Sequence, residues 1–333
     1  MPTTTIRRAI RIPAVVTLVA HSALATPTAA QTKPDTVSLR FGWPVGMMAR
    51  VEQEWTRIQV SPQRRDSSGV RSRYRLTVSS HPKGRLIQSD SFVVTSAPPA
   101  SGRRGALDAQ QFLARLGSVS PSYVVSPDGE FVGVEGIEKT KAVIDSLFAP
   151  LLREVSAAPP QFKALMQSAT SVQALTAAAA QEWNVLAGTW IGADWEVGEA
   201  YGAESEEPSP MFPGLKIPMQ HEFSAAERVP CNSIETGRRC VRLEMVSEPD
   251  SAALRRALSE FVTRLAPKEA TAFAGLRSTS MVNELTVVVD PRDLRPYSVM
   301  LIKRIDMDVT GPGGPGGKTT RVDIRSARYT YVR

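Results

Sequence analysis

The chain has 333 residues, 42% of them apolar, with 40 lysines and arginines against 33 acids and a formal charge of +7. That length can bury one large core or two small ones. The basic residues are scattered among apolar ones and never form a run interleaved with aromatics, which argues against a nucleic-acid-binding role.

The N-terminus reads as a targeting segment. Arg7, Arg8 and Arg11 precede an apolar stretch over 14–25 broken only by Thr17, His21 and Ser22. Thr28-Ala29-Ala30 offers a cleavage site before Gln31, and Ala23-Leu24-Ala25 a second. Residues 1–30 are therefore expected to be a signal peptide, and 31–333 one domain, periplasmic or extracellular and soluble after cleavage. Losing the three arginines would take the formal charge from +7 to +4. No cysteine lies near the cleavage point to accept a lipid, and no later stretch has the length of a membrane span.

Strands dominate the chain beyond the leader. Val37, Leu39 and Phe41 alternate, Pro44-Val45-Gly46 turns the chain, and 47–60 alternates again. Residues 61–69 are polar and predict a loop. Tyr74, Leu76 and Val78 share a face, His81-Pro82-Lys83-Gly84 turns the chain, and 85–95 returns. A short helix fits 108–116, and Pro127-Asp128-Gly129 sits at the tip of a hairpin over 123–132. Ile144, Leu147, Phe148, Leu151, Leu152 and Val155 form a helical stripe. Pro159-Pro160 ends that helix and starts another, and the alanine-rich 171–187 makes a third. Residues 202–214 are acidic and proline-rich and predict an exposed loop. Strands resume over 215–229 and 240–247, and Ser247-Glu248-Pro249-Asp250 predicts a helix start.

The last part, 281–332, reads as a three-stranded meander. Leu285, Val287 and Val289 share one face of its first arm. Tyr297, Val299, Leu301, Ile305 and Met307 share one face of the second, interrupted only by Lys303. In the third arm the apolar alternation shifts between Ile324 and Ala327, which predicts a bulge near Ser326. The expected fold class is α+β: a large curved antiparallel β-sheet, half-barrel-like, with helices packed on one face and helical insertions at about 137–187 and 248–275.

Cys231 and Cys240 bracket a turn near Gly237 and are expected to form a disulfide across a hairpin tip. Beyond the leader the histidines are His81 and His221, too few for a three-histidine metal site. No Gly-x-Ser-x-Gly elbow is present, although a triad assembled across the fold would leave no local trace. Gly317-Lys318-Thr319 ends like a phosphate loop but is followed by strand alternation rather than a helix. Asp306, Asp308 and Arg304 share a strand face, with Arg321 and Arg325 expected opposite, and read as surface ion pairs.

VSLRFGWPVGMMARVEQEW (37–55) resembles the opening of a family of uncharacterised exported bacterial proteins, and LAGTWIGADWEVGE (186–199) resembles the glycine–tryptophan step before their second set of strands. More loosely, the plan resembles the half-barrel of periplasmic lipoprotein carriers of the LolA and LppX type, which implies an apolar cavity between sheet and helices. The resulting expectation is an envelope protein, not an enzyme, that binds an apolar, lipid-like molecule or a protein in a sheet–helix cleft. It would need no cofactor and no metal. The candidate cleft residues are Phe148, Leu151, Trp190, Trp195 and Tyr297. The competing expectations are a cofactor-free hydrolase and a structural interaction module.

Overall fold

The computed structural model describes residues 5–8, 34–97, 114, 121–154, 167–208, 216–232, 237–265, 276–309 and 317–332. In chain order the strands are β1 (Thr5–Arg8), β2 (Thr36–Ser38), β3 (Met48–Val60), β4 (Arg65–His81), β5 (Gly84–Ser96), β6 (Ser122–Val125) and β7 (Phe131–Glu135). Helices α1 (Ile137–Glu154) and α2 (Val172–Leu186) come next, then β8 (Asp194–Glu196), β9 (Ala200–Pro208), β10 (Lys216–Pro230) and β11 (Arg239–Pro249). Helix α3 (Ser251–Leu265) precedes β12 (Leu276–Val289), β13 (Pro296–Val309) and β14 (Gly317–Tyr331).

Twelve strands form one sheet in the order β1-β9-β10-β11-β12-β13-β14-β3-β4-β5-β6-β7, and β2 and β8 form a small second sheet. The large sheet is not closed: β1 and β7 are its two ends. All its pairings are antiparallel, and the meander β12–β14 sits at its centre, with β14 pairing to β3. The molecule is thus dominated by β-structure, with helices as additions, rather than an even α+β mixture.

Residue parity shows that α2 and α3 share one face. Ala49, Val51, Leu76, Val78, Ala327 and Tyr329 cluster with Trp183 and Leu186 of α2. Ile217, Met219 and Met281 cluster with Leu254 and Ala257 of α3. In register, Met219, Phe223, Leu285, Leu301, Arg325, Trp55 and Val70 lie on that same covered face. Between the helices, the segment Gly188–Trp190 and the β2–β8 sheet plug the face with Val37, Leu39, Trp190 and Trp195.

Local chemistry fixes the helix starts. The Ser171 hydroxyl accepts from the Ala174 amide at 3.2 Å, capping α2, and Asp250 Oδ1 accepts from the Ala253 amide at 2.7 Å, capping α3. The helix start predicted at 247–250 therefore falls a few residues early. Ser247 and Pro249 still belong to β11, because they pair with His221 and Met219 of β10.

Three further expectations are corrected. The loop predicted at 61–69 is a short turn, and Arg65 already pairs with Val60. The loop predicted at 202–214 is β9 up to Pro208, paired along its length with β10; 209–215 lies outside the described residues. In both segments the ladder satisfies the backbone, so polar side chains do not prevent a strand. The bulge predicted near Ser326 is absent, since β14 keeps one register with β13 and β3 through that point. Val322 and Ile324 simply face the opposite side from Ala327 and Tyr329. The helix predicted at 108–116 lies outside the described residues apart from position 114, and the one after Pro160 and the residues at 266–275 lie largely or wholly outside them. Gly317-Lys318-Thr319 opens strand β14, not a helix.

Candidate functional site

A partly open cavity of about 120 Å³ lies between the sheet and α2. Strand residues Gln53, Tyr74, Leu76, Ser89, Phe92, Tyr123, Val299, Leu301, Arg325, Ala327 and Tyr329 line it, and Glu182, Val185 and Leu186 of α2 form the other wall. Phe92 reaches it through a β-bulge. Arg73 pairs with Val93 but Arg75 with Asp90, and Ser91 takes φ 56°. The extra residue turns Phe92 onto the covered face, where its ring stacks on Tyr74 with centroids 6.4 Å apart.

The cavity wall carries one ion pair. Arg325 Nη2 lies 2.5 Å from Glu182 Oε1, and the Tyr123 hydroxyl donates to Glu182 Oε2 at 2.8 Å. Burial pushes the Glu182 carboxyl up, but the charge of Arg325 and the hydrogen bonds from Arg325 and Tyr123 outweigh it and hold the group below its usual value. Burial and the Glu182 charge push the Tyr123 phenol far up, so it stays a neutral donor. Burial also pushes Tyr74 up to about 12. The side chains of Glu182 and Arg325 keep 41% and 44% of their surface accessible, and both line the partly open cavity.

Trp183 supports this wall from behind. Its ring packs edge-on against Phe41 and Trp43, each at 5.5 Å, and its Nε1 donates to the Gly129 carbonyl at 2.8 Å. Gly129 is required there: it has φ +90°, and a Cβ would come within 2.6 Å of Phe41 and Ile191.

Of the residues expected to line a cleft, Trp190, Trp195 and Tyr297 lie away from this cavity. Trp190 and Trp195 are buried in the plug against Phe223, at 5.9 and 6.4 Å between centroids. Tyr297 is buried beside Cys231 and Cys240 and packs on Tyr331. Phe148 is half-buried on α1, and the side chain of Leu151 lies outside the described residues. The disulfide between Cys231 and Cys240 is formed.

Sequence reasoning misses the cavity because its marks are scattered. Tyr74 and Leu301 stand out as members of apolar faces, but nothing local joins Glu182 to Arg325, 143 residues away. The expectation that Arg321 and Arg325 stand opposite Asp306 and Asp308 is corrected: Arg321 pairs with Ile305, and Asp308 with Lys318. The register pairs Asp306 with Thr320 and turns Arg325 to the covered face, opposite Leu301. Asp306 is met by Arg304 at 2.7 Å on the outer face.

His221 is the other notable polar group. Its Nε2 lies 2.8 Å from the Ser205 hydroxyl and its Nδ1 2.8 Å from the Ser247 hydroxyl, with Glu207 3.7 Å from Nε2. Burial lowers its pKa and Glu207 partly opposes this, so the ring is neutral at pH 7. A neutral imidazole between two hydroxyls clasps β9, β10 and β11 together. With Ser205 as nucleophile, a hydrolytic triad would need a carboxylate on the nitrogen that Ser247 occupies. Among the described residues no group of three His, Cys, Asp or Glu could hold a metal ion, and no helix is long and apolar enough to cross a membrane.

No protein-family model and no curated protein matches the chain. Among solved structures, it is similar to lipovitellin, described for its lipid–protein interactions, at 8% identity and TM-score 0.42, covering 87% of this chain and 25% of that one. The chain thus spans about a quarter of lipovitellin. It is also similar to an outer-membrane channel from Pseudomonas putida F1, at 8% identity and TM-score 0.16, covering 87% of this chain and 97% of that one. At these scores neither likeness carries an argument.

Proposed function

We propose that this chain is an exported, non-enzymatic binding protein that holds a small, largely apolar molecule in the cavity between the sheet and α2. The leader-like N-terminus, whose removal would take β1 with it and leave β9 as that end of the sheet, and the disulfide support export. In this reading the sheet curves as a half-barrel about α2 and the plug. The observation that carries the reading is the cavity wall: four aromatic rings (Tyr74, Phe92, Tyr123, Tyr329) and aliphatic side chains, with Gln53, Ser89 and the Glu182–Arg325 ion pair as the polar groups among them. A mostly apolar concavity with a few placed polar groups is the usual composition of a small-ligand site. The cavity suits a ring or a short alkyl chain rather than a whole lipid, and each methylene buried there would contribute about 0.8 kcal/mol.

Calorimetric titration of the folded protein with 1-octanol tests this. Saturable binding with one site is expected, and Ser89→Trp, which places an indole in the cavity, should abolish it. Unchanged binding by Ser89→Trp, or no binding by the wild type, overturns the proposal.

A further inference from the structure

The row of residues below the cavity carries unbalanced charge. Lys303 comes two residues after Leu301 on the covered face of β13, about 6.6 Å farther along the strand. Directly opposite stands Asp323 of β14, and beyond it Arg57 of β3. Asp323 is already held by two arginines: Arg57 Nε at 2.6 Å and Arg321 Nη2 at 2.7 Å. Lys303 has no ion pair within 4.0 Å among the described residues. Three cations therefore share one carboxylate, while the neighbouring Arg325 is neutralised by Glu182. Burial lowers the pKa of Lys303, the charge of Arg321 lowers it further, and Asp323 opposes both. The cluster therefore carries net positive charge beside the cavity, which a bound anion would offset.

We propose that Lys303, with Arg321, forms a recognition site for the anionic end of the bound molecule, whose apolar part extends past Leu301 into the cavity. This rests on the binding role assigned to the cavity and narrows it: the ligand is a small amphipathic anion, a carboxylate or an acid ester on a short apolar body. A compact ammonium and an adjacent guanidinium offer charge-assisted donors to such a group. The Lys303 pairing partner on β12, Asn283, adds an amide on the same face.

Octanoate and 1-octanol share one apolar body and differ in charge, so calorimetric titration with both separates the two claims. Octanoate should bind more tightly than 1-octanol to the wild type. Lys303→Gln should weaken octanoate about tenfold, the loss of one good charge contact, and leave 1-octanol unchanged. Lys303→Arg should restore octanoate binding, and Arg321→Gln should weaken it independently. Circular dichroism confirms that each variant is folded. If 1-octanol binds but octanoate is no tighter, or Lys303→Gln affects both equally, the anion site is overturned and the cavity reading stands. If neither binds, the cavity reading falls and the anion site with it.

Discussion

Two aromatic clusters sit on the same face of one sheet, and they pack differently. Around the plug, Trp190, Trp195 and Phe223 meet Leu39, Val241, Leu243 and Val287, and nearly all of them are fully buried. Around α2, Tyr74, Phe92, Tyr123 and Tyr329 leave a cavity between them. Both halves contain a carboxylate held by arginine. In the closed half, the Asp290 side chain at the β12–β13 turn is 1% exposed and faces Arg238, Arg292 and Arg295. In the open half, Glu182 is 41% exposed and meets one arginine and one phenol. A carboxylate buried at a turn anchors structure, whereas one at a cavity wall is accessible to whatever enters.

The first way to break this comparison is to truncate a ring in each half. Trp190→Ala should cost about 3–5 kcal/mol, the usual loss for a fully buried large ring. Phe92→Ala should cost clearly less, because part of that ring already faces open space. Equilibrium urea unfolding measures both, and equal losses would mean that the two halves are packed alike.

The second concerns Asp290. Asp290→Asn removes the buried charge that faces Arg238 and Arg292, while Arg295 keeps Asp293 at 2.7 Å, and should cost about 3 kcal/mol. Burial pushes this carboxyl up, but hydrogen bonds from the Arg292 side chain and backbone and the charge of Arg238 outweigh it, so its folded pKa is lowered. Its contribution is therefore present above the unfolded pKa and is lost as pH falls through the folded value. In an acid titration of stability, the wild type should lose this increment and Asp290→Asn should show a flatter profile.

Glu182→Gln should have a smaller effect, below about 1 kcal/mol, because solvent screens a pair this exposed. Its clearer signature is in binding. Without the carboxylate, Arg325 adds a further uncompensated cation near Lys303, so octanoate should bind more tightly and 1-octanol much as before. Weaker octanoate binding in this variant would mean that Glu182 itself contacts the ligand.

The closed half is more legible in the sequence than the open one. The period of two in 281–309 marks the central strands, and the spacing of Cys231 and Cys240 marks the disulfide. Helices α1 and α2 emerge from apolar spacing, because local periodicity reports which face is buried. The cavity depends on relations that periodicity does not carry. A bulge at Ser91 turns Phe92 inward, and the register of β14 faces Arg325 to α2 rather than to Asp306. Lys303 does stand out in the sequence as the interruption of an apolar face. Its surroundings become visible only once Arg321 and Asp323 are placed on the adjacent strand.

The smallest expected effect is that of Tyr123→Phe, and it tests how the open half is held. The change removes one oxygen and keeps the ring that lines the cavity. What is lost is a single hydrogen bond, the hydroxyl donating to Glu182 Oε2 at 2.8 Å. Glu182 keeps Arg325 on its other oxygen, and its accessible side can recover a water, so the stability cost should be about 0.5–1 kcal/mol. The carboxyl should nevertheless report the loss, because the Tyr123 hydrogen bond is one of the forces holding its pKa down. Its pKa should rise in Tyr123→Phe, a shift that carbon-detected NMR of the Glu182 carboxyl would track directly. Octanoate affinity should be unaltered near neutral pH, because Arg325 still holds the Glu182 carboxylate. If the carboxyl pKa does not move, Arg325 alone fixes the charge state of the cavity wall, and Tyr123 serves only as part of its apolar lining.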